Sequence, residues 1–133
     1  ATPGISTPPI PEYMNIYSCW MAGFSINLEE FTCDSDTLAQ EVADEGIPGA
    51  GLGRYYLIPA ALPFLTEKAE KKIYPYSMPP ASKSYVYDGN SCPNAQKFLN
   101  TYIRWSSFCE RYTVEDCELA TEIVRTVADK YRK

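Results

Sequence analysis

"DSDTLAQEVADEGIPGAGLGRYY", Asp34 to Tyr56, changes its punctuation half-way along. Asp34 and Ser35 are N-cap residues, whose side-chain oxygens accept the otherwise unpaired amides of a first helical turn. Leu38, Ala39, Val42 and Ala43 then recur at helical spacing as one apolar stripe. Gly46 is placed to end that helix, because glycine tolerates the positive φ of a C-terminal cap. Past it, short strands are expected to start at Ile47 and at Arg54–Ile58. Gly46, Gly49, Gly51 and Gly53 make four glycines in eight residues. Neither phosphate-binding fingerprint fits them. A Walker loop ends in Gly-Lys-Ser/Thr and the lysine is missing; G-x-G-x-x-G lacks its third glycine, and Pro59 follows where a helix would open. The glycines read as loop residues that supply φ > 0 or close backbone approach.

Working outward, "NIYSCWMAGFSIN" (Asn15–Asn27) suits a strand, with Trp20, Ala22, Phe24 and Ile26 on one face at period two. Before it, Pro3, Pro8, Pro9 and Pro11 mark residues 1–15 as an extended arm. Downstream, residues 59–91 form a long irregular loop with Pro59, Pro63, Pro75, Pro79 and Pro80. A short helix is expected there from Thr66 to Lys72. Its tyrosines (Tyr74, Tyr76, Tyr85, Tyr87) argue for packing against something, since disordered segments are poor in aromatics. Ser91 or Cys92 caps a further helix with Pro93 in its first turn and Ala95, Phe98, Leu99, Tyr102 and Ile103 as its stripe. "IRWSSF" reads as a strand. Thr113 with Asp116 forms an approximate capping box for the last helix, whose buried face is Cys117, Ala120, Ile123, Val124, Val127 and Tyr131. Acidic residues at its start and basic ones at its end suit the helix dipole. The order strand, helix, strand, long loop, helix, strand, helix predicts an α+β fold: a small, largely antiparallel sheet with helices packed on one face. Residues 16–133 are expected to form a single domain.

Composition narrows the function. The 133 residues are 45% apolar and 22% charged, and carry a net charge of −5. The acidic balance argues against nucleic acid, whose phosphates demand Lys and Arg. No run of about 18 apolar residues exists to span a membrane. Ala1–Pro11 is proline-rich and polar, unlike a signal peptide. The chain has no histidine, so Ser-His-Asp and Cys-His nucleophiles cannot form within it. Its five cysteines are odd in number and include no C-x-x-C, so zinc spacing is missing and no metal site is expected. Buried reduced thiols, Cys19 and Cys117 among them, are expected of a cytoplasmic protein, with a small secreted disulfide domain as the alternative.

Taken in order, these signals resemble a known family. "YSCWMAGFSIN", "DSDTLAQEVADE" and "GIPGAGLGRYY", then "CPNA" (Cys92–Ala95) and "YTVED" (Tyr112–Asp116), resemble the C-terminal small domain of the DegT/DnrJ/StrS aminotransferases. The resemblance runs from about Tyr17 to Tyr131. It is carried by the ordered set, not by one motif. The family's "LPW" before the final helix is replaced here by "RWSSF". The family has the type I aminotransferase fold, depends on pyridoxal phosphate, and in many members makes amino sugars from keto sugars.

The resemblance implies a domain that closes over an active site and contacts a small-molecule substrate, a keto sugar or similar hydroxylated ketone. Pyridoxal phosphate would be bound mainly outside this chain, on the large domain that carries the Schiff-base lysine, and the parent enzyme would be a homodimer. No residue here takes a catalytic role. Gly51 and Gly53 would permit close approach, and Arg54, Tyr55 and Tyr56 would hydrogen-bond substrate. The residues also allow a different class, a stand-alone binding or interaction module that uses the tyrosine-rich loop as its contact surface.

Overall fold

The computed structural model describes residues 2–16, 18–53, 61–76, 79 and 87–133. These form two compact units, Ala1–Gly53 with Asn100–Lys133, and Arg54–Leu99.

The first unit is an α+β layer. Its sheet contains β1 (Ile5–Ser6), β2 (Ala22–Ile26), β3 (Ala50–Leu52) and β4 (Tyr102–Trp105), in the order β1-β2-β4-β3. Every pairing is antiparallel. The register gathers Ile5, Ala22, Phe24, Ile26, Ala50, Leu52, Ile103 and Trp105 on one face, because facing residues of paired strands share a side. Ser6, Gly23, Ser25, Gly51, Tyr102 and Arg104 fall on the other. The apolar face packs with helices α1 (Ser35–Asp44) and α4 (Val114–Tyr131) into one core. Leu38, Val42, Ile103 and Val127 are its largest fully enclosed side chains, each worth about 1.5–3 kcal/mol of transfer free energy.

The expected helix forms as its caps dictate. The Asp34 carboxylate accepts the Thr37 amide at 2.8 Å. At the other end Gly46 takes φ +118°, its amide donates to Ala43 O, and the Ile47 amide donates back to Val42 O. That double closure is a Schellman motif, and its apolar pair Val42–Ile47 lies in the core. Ile47 does not begin a strand. The Ala50 amide donates to Ile47 O at 3.2 Å, with Pro48 second and Gly49 third at φ +75°: the signature of a type II turn. Strand β3 starts only after it.

The capping box of α4 is complete. Asp116 N donates to Thr113 Oγ1 at 3.2 Å and Thr113 N to Asp116 Oδ2 at 2.8 Å. Its C-terminus is tied to the chain after β2: Thr32 N and Oγ1 both donate to Tyr131 O, at 2.7 and 2.9 Å. Lys130 Nζ reaches Glu41 Oε2 on α1 at 2.5 Å. The expected stripe lies on the inner face, with Ala128 added to it.

Some expectations give way. β2 begins at Ala22, not Asn15, because β4 offers only four residues and its pairing ends at the Ala22–Trp105 rung. Trp20 lies beyond that rung and is exposed, as is Cys19, so Cys19 is not the buried strand thiol expected. Cys117 is half-buried, and all five cysteines are free thiols. Tyr102 and Ile103 leave the helical stripe for β4. In that helix, α3 (Pro93–Thr101), Ala95 and Phe98 are exposed.

The second unit holds α2 (Pro63–Glu70), which starts before the expected Thr66, and α3 as far as Leu99. Lys72, at φ 53°, ends α2 in the left-handed conformation while the Ile73 amide donates to Lys68 O. Lys68 Nζ sits 5.4 Å from the Phe64 ring centre and 5.5 Å from that of Tyr76. Thr66 Oγ1 donates to Tyr87 O at 3.0 Å. No helix among the described residues is long and apolar enough to cross a membrane.

Candidate functional site

A cavity of about 670 Å³ opens in the first unit between the sheet and the N-terminal half of α4. Val42, Ile47 and Ile103 line its depth and are themselves buried. Around them stand small side chains: Ala22 and Gly23 of β2, Ala50 of β3, Cys117 and Ala120 of α4. Aromatic surface comes from Phe24, Trp105 and Phe108. Trp105 meets Phe108 edge-on at 5.2 Å and Tyr112 at 4.7 Å, and Phe108 and Tyr112 stack at 5.7 Å, so the three rings hold one another in place. The polar residues of the lining are Thr2, Ser6, Thr7 and Arg104 and, on α4, Thr121 and Arg125. A concave apolar space of a few hundred Å³ with few polar groups is the usual form of a small-molecule site.

The loop behind this wall is built by side-chain anchors. Ser106 Oγ donates to Gly49 O at 2.9 Å, and Ser107 Oγ donates to Pro48 O. The indole of Trp105 donates to Ser107 Oγ at 2.9 Å. An added Cβ at Gly49 would stand 2.6 Å from Ser106 Oγ, so this glycine answers to the turn and its anchor. Sequence reasoning missed that role for "SS" in "RWSSF". Two adjacent serines after a strand carry no periodic signal.

The expected substrate contacts are divided by the described region. Arg54, Tyr55 and Tyr56 lie outside the described residues. Gly51 is half-buried in β3, on the sheet face opposite the helices, and an added Cβ there would meet nothing within 4 Å. Gly53 is buried. Neither glycine is among the residues lining the cavity.

Most of the shifted ionisable groups lie in exposed pairs or caps on the surface. The Lys130 ammonium holds Glu41 below the usual carboxylate range, with Tyr131 adding to it; Lys130 is raised in return, chiefly by its hydrogen bond to Glu41. The Thr113 amide and hydroxyl lower Asp116. Glu67 is lowered and Lys71 raised by their 2.5 Å contact. Burial pushes the Cys33 thiol up.

A pyridoxal phosphate imine needs a lysine of depressed pKa in an apolar setting, which Lys71 and Lys130 do not offer. Lys71 and Lys130 move the other way. Lys68 Nζ lies over two aromatic rings, and Lys133 Nζ donates to Glu29 O at 2.9 Å.

No family model matches the chain, and no curated protein or solved structure does either.

Proposed function

We propose that this chain is a small domain that works docked on a larger body, and that this body is the cofactor-binding large domain of a pyridoxal-phosphate-dependent aminotransferase of the DegT/DnrJ/StrS kind. One observation carries the docking part of the reading. Between Ile10 and Trp20, Ile10, Tyr13, Ile16 and Trp20 are 60–84% exposed, with Met14 beside them. Exposed apolar residues scattered singly are ordinary, but a run within eleven residues of one segment has the composition of an interface core. The ordered motifs from Tyr17 to Tyr131 supply the identity of the larger body.

In this reading the chain closes over a keto sugar or similar hydroxylated ketone. Arg54, Tyr55 and Tyr56 hydrogen-bond it, and Gly51 and Gly53 allow close approach. The amino group is exchanged on a cofactor held by the large domain, in a cytoplasmic homodimer. The chain itself binds and orients.

The test has two arms. The isolated chain titrated with pyridoxal phosphate gives no saturable imine absorbance and no borohydride-trapped lysine adduct. Supplied with the large domain recovered by extending the reading frame upstream, it forms a complex by sedimentation and transfers an amino group to a keto sugar, and Arg54→Ala lowers that rate. A specific trapped adduct on the isolated chain, or an upstream coding region with no large domain, refutes the aminotransferase reading.

A second reading, a stand-alone binding module, is favoured by the cavity, which is lined wholly by residues of the first unit. The tyrosine loop expected to carry it is described only in part; there Tyr74 is exposed, while Tyr76 and Tyr87 are half-buried.

A further inference from the structure

We propose that the cavity between α4 and the sheet is a binding site for a small aromatic monocarboxylate. The inference is independent of what the chain docks on.

Size and lining give the apolar half of the ligand. About 670 Å³ is mid-range for small-molecule pockets. Trp105 and Phe108 present ring surface fixed by their contacts with each other and with Tyr112, and flat rings suit a planar guest. The wall opposite is low, since Ala120 and Cys117 leave the space that larger side chains would fill.

Charge gives the other half. The chain carries −5 overall, yet the charged residues lining this cavity are both arginines, Arg104 and Arg125, with no carboxylate among them. Arg104 alternates with Ile103 and Trp105 and so belongs to the opposite sheet face. Arg125 is on α4, one helical turn beyond Thr121, which also lines the cavity. On its own helix Arg125 has Glu122 three residues before it and Asp129 four residues on; Asp129 pairs with Arg132 at 2.6 Å, and no ion pair joins Glu122 to Arg125. Lys130 is likewise engaged, by Glu41. Arg125 makes no ion pair or hydrogen bond with any described residue. A guanidinium without a partner at the rim of an apolar cavity matches a carboxylate, which it takes in a two-pronged contact. Thr2 and Thr7 border the same space.

The experiment compares 2-naphthoate with the neutral 2-naphthalenemethanol, which has the same rings without the charge. Binding is read by Trp105 fluorescence in a Trp20→Phe background, since the chain has two tryptophans, and is repeated by calorimetry. The expected result is that 2-naphthoate binds several-fold more tightly than the alcohol. Arg125→Gln, at an exposed position, weakens the carboxylate about tenfold or more, since tenfold is 1.4 kcal/mol and hydrogen bonds to charged groups are worth about 1.5–3 kcal/mol, and leaves the alcohol unchanged. Ala120→Leu, its fold checked by circular dichroism, removes binding of both. The proposal is overturned if 2-naphthoate does not bind, if carboxylate and alcohol bind equally, if Arg125→Gln leaves 2-naphthoate unchanged, or if folded Ala120→Leu still binds.

Discussion

Gly23 and Gly51 flank Arg104 on the same rung of the sheet, one on each side. Neither has a left-handed φ, so alanine meets no backbone strain at either position, and the outcome turns on space alone. At Gly23 a new Cβ would stand 2.5 Å from the Tyr102 ring and 2.6 Å from the Ile103 carbonyl oxygen. The ring can swing away; the carbonyl belongs to the β2–β4 ladder and cannot. Gly23→Ala therefore overpacks the centre of the sheet and costs about 1–3 kcal/mol. At Gly51 nothing lies within 4 Å. There alanine mainly restricts the unfolded chain, and stabilises by about 0.4–1 kcal/mol. Urea unfolding followed by tryptophan fluorescence suits the comparison, because Trp20 and Trp105 both belong to the unit that contains the rung. With a slope of about 1–3 kcal/mol per molar, Gly23→Ala lowers the midpoint by roughly 1 M, and Gly51→Ala leaves it or raises it. If Gly51→Ala destabilises as much as Gly23→Ala, the spatial argument fails. The same variant serves the aminotransferase reading. A fold-neutral Gly51→Ala that slows transfer in the assembled enzyme would tie this glycine to substrate approach.

Thr113→Ala removes the hydroxyl that accepts the Asp116 amide and is expected to lower stability by about 1 kcal/mol, read from the same urea curves; Thr113→Ser should restore most of it. The Glu41–Lys130 pair gives a pH window. Glu41, depressed, contributes from the ordinary carboxylate range upward and is lost as pH falls through its lowered value; Lys130, raised, contributes up to the ordinary ammonium range and is lost as pH rises through its raised one. Glu41→Gln should flatten both limbs of a stability–pH profile, and unchanged limbs would show that the pair is not coupled to folding. In native protein Cys19 should react with a thiol reagent first, being exposed, and Cys33 last, since burial raises it; the order is read by mass spectrometry of partly modified protein.

The elements best legible in the sequence are those with local chemistry at both ends. Asp34 and Gly46 fix α1, and Thr113 with Asp116 opens α4, because each cap is satisfied within a few residues whatever surrounds it. Strand limits were less legible. Trp20 continues the alternation of Ala22, Phe24 and Ile26 without a break, and only the length of β4 decides that pairing stops at Ala22. Likewise Tyr102 and Ile103 keep helical spacing with Phe98 and Leu99, and it is pairing with Phe24 and Ser25 on β2, and Leu52 on β3, that draws them into a strand. Non-local hydrogen bonds outweigh periodicity at such positions.

The cavity illustrates a different kind of gap. Periodicity marks Cys117, Ala120 and Val124 as an inward stripe, which is how they sit, but it weighs side chains by polarity and not by volume. Towards its C-terminal end α4 puts Val127 and Ala128 into the core that holds Phe31, Leu38 and Ile26, and that end is closed. Towards its N-terminal end Cys117 and Ala120 share a lining with Ala22, Gly23 and Ala50, small residues drawn from three separate elements. Each alone is an ordinary buried or half-buried position. Together they fall short of the volume that native packing density demands, and a space opens in place of a core. The shortage exists only once the strand order brings β2, β3 and α4 to one face, so no window of the sequence contains it. Arg125 follows the same logic. On a helical wheel it is one more surface cation, with Asp129 a turn away. Its significance depends on Arg132 holding that carboxylate and on the apolar space that opens beside it.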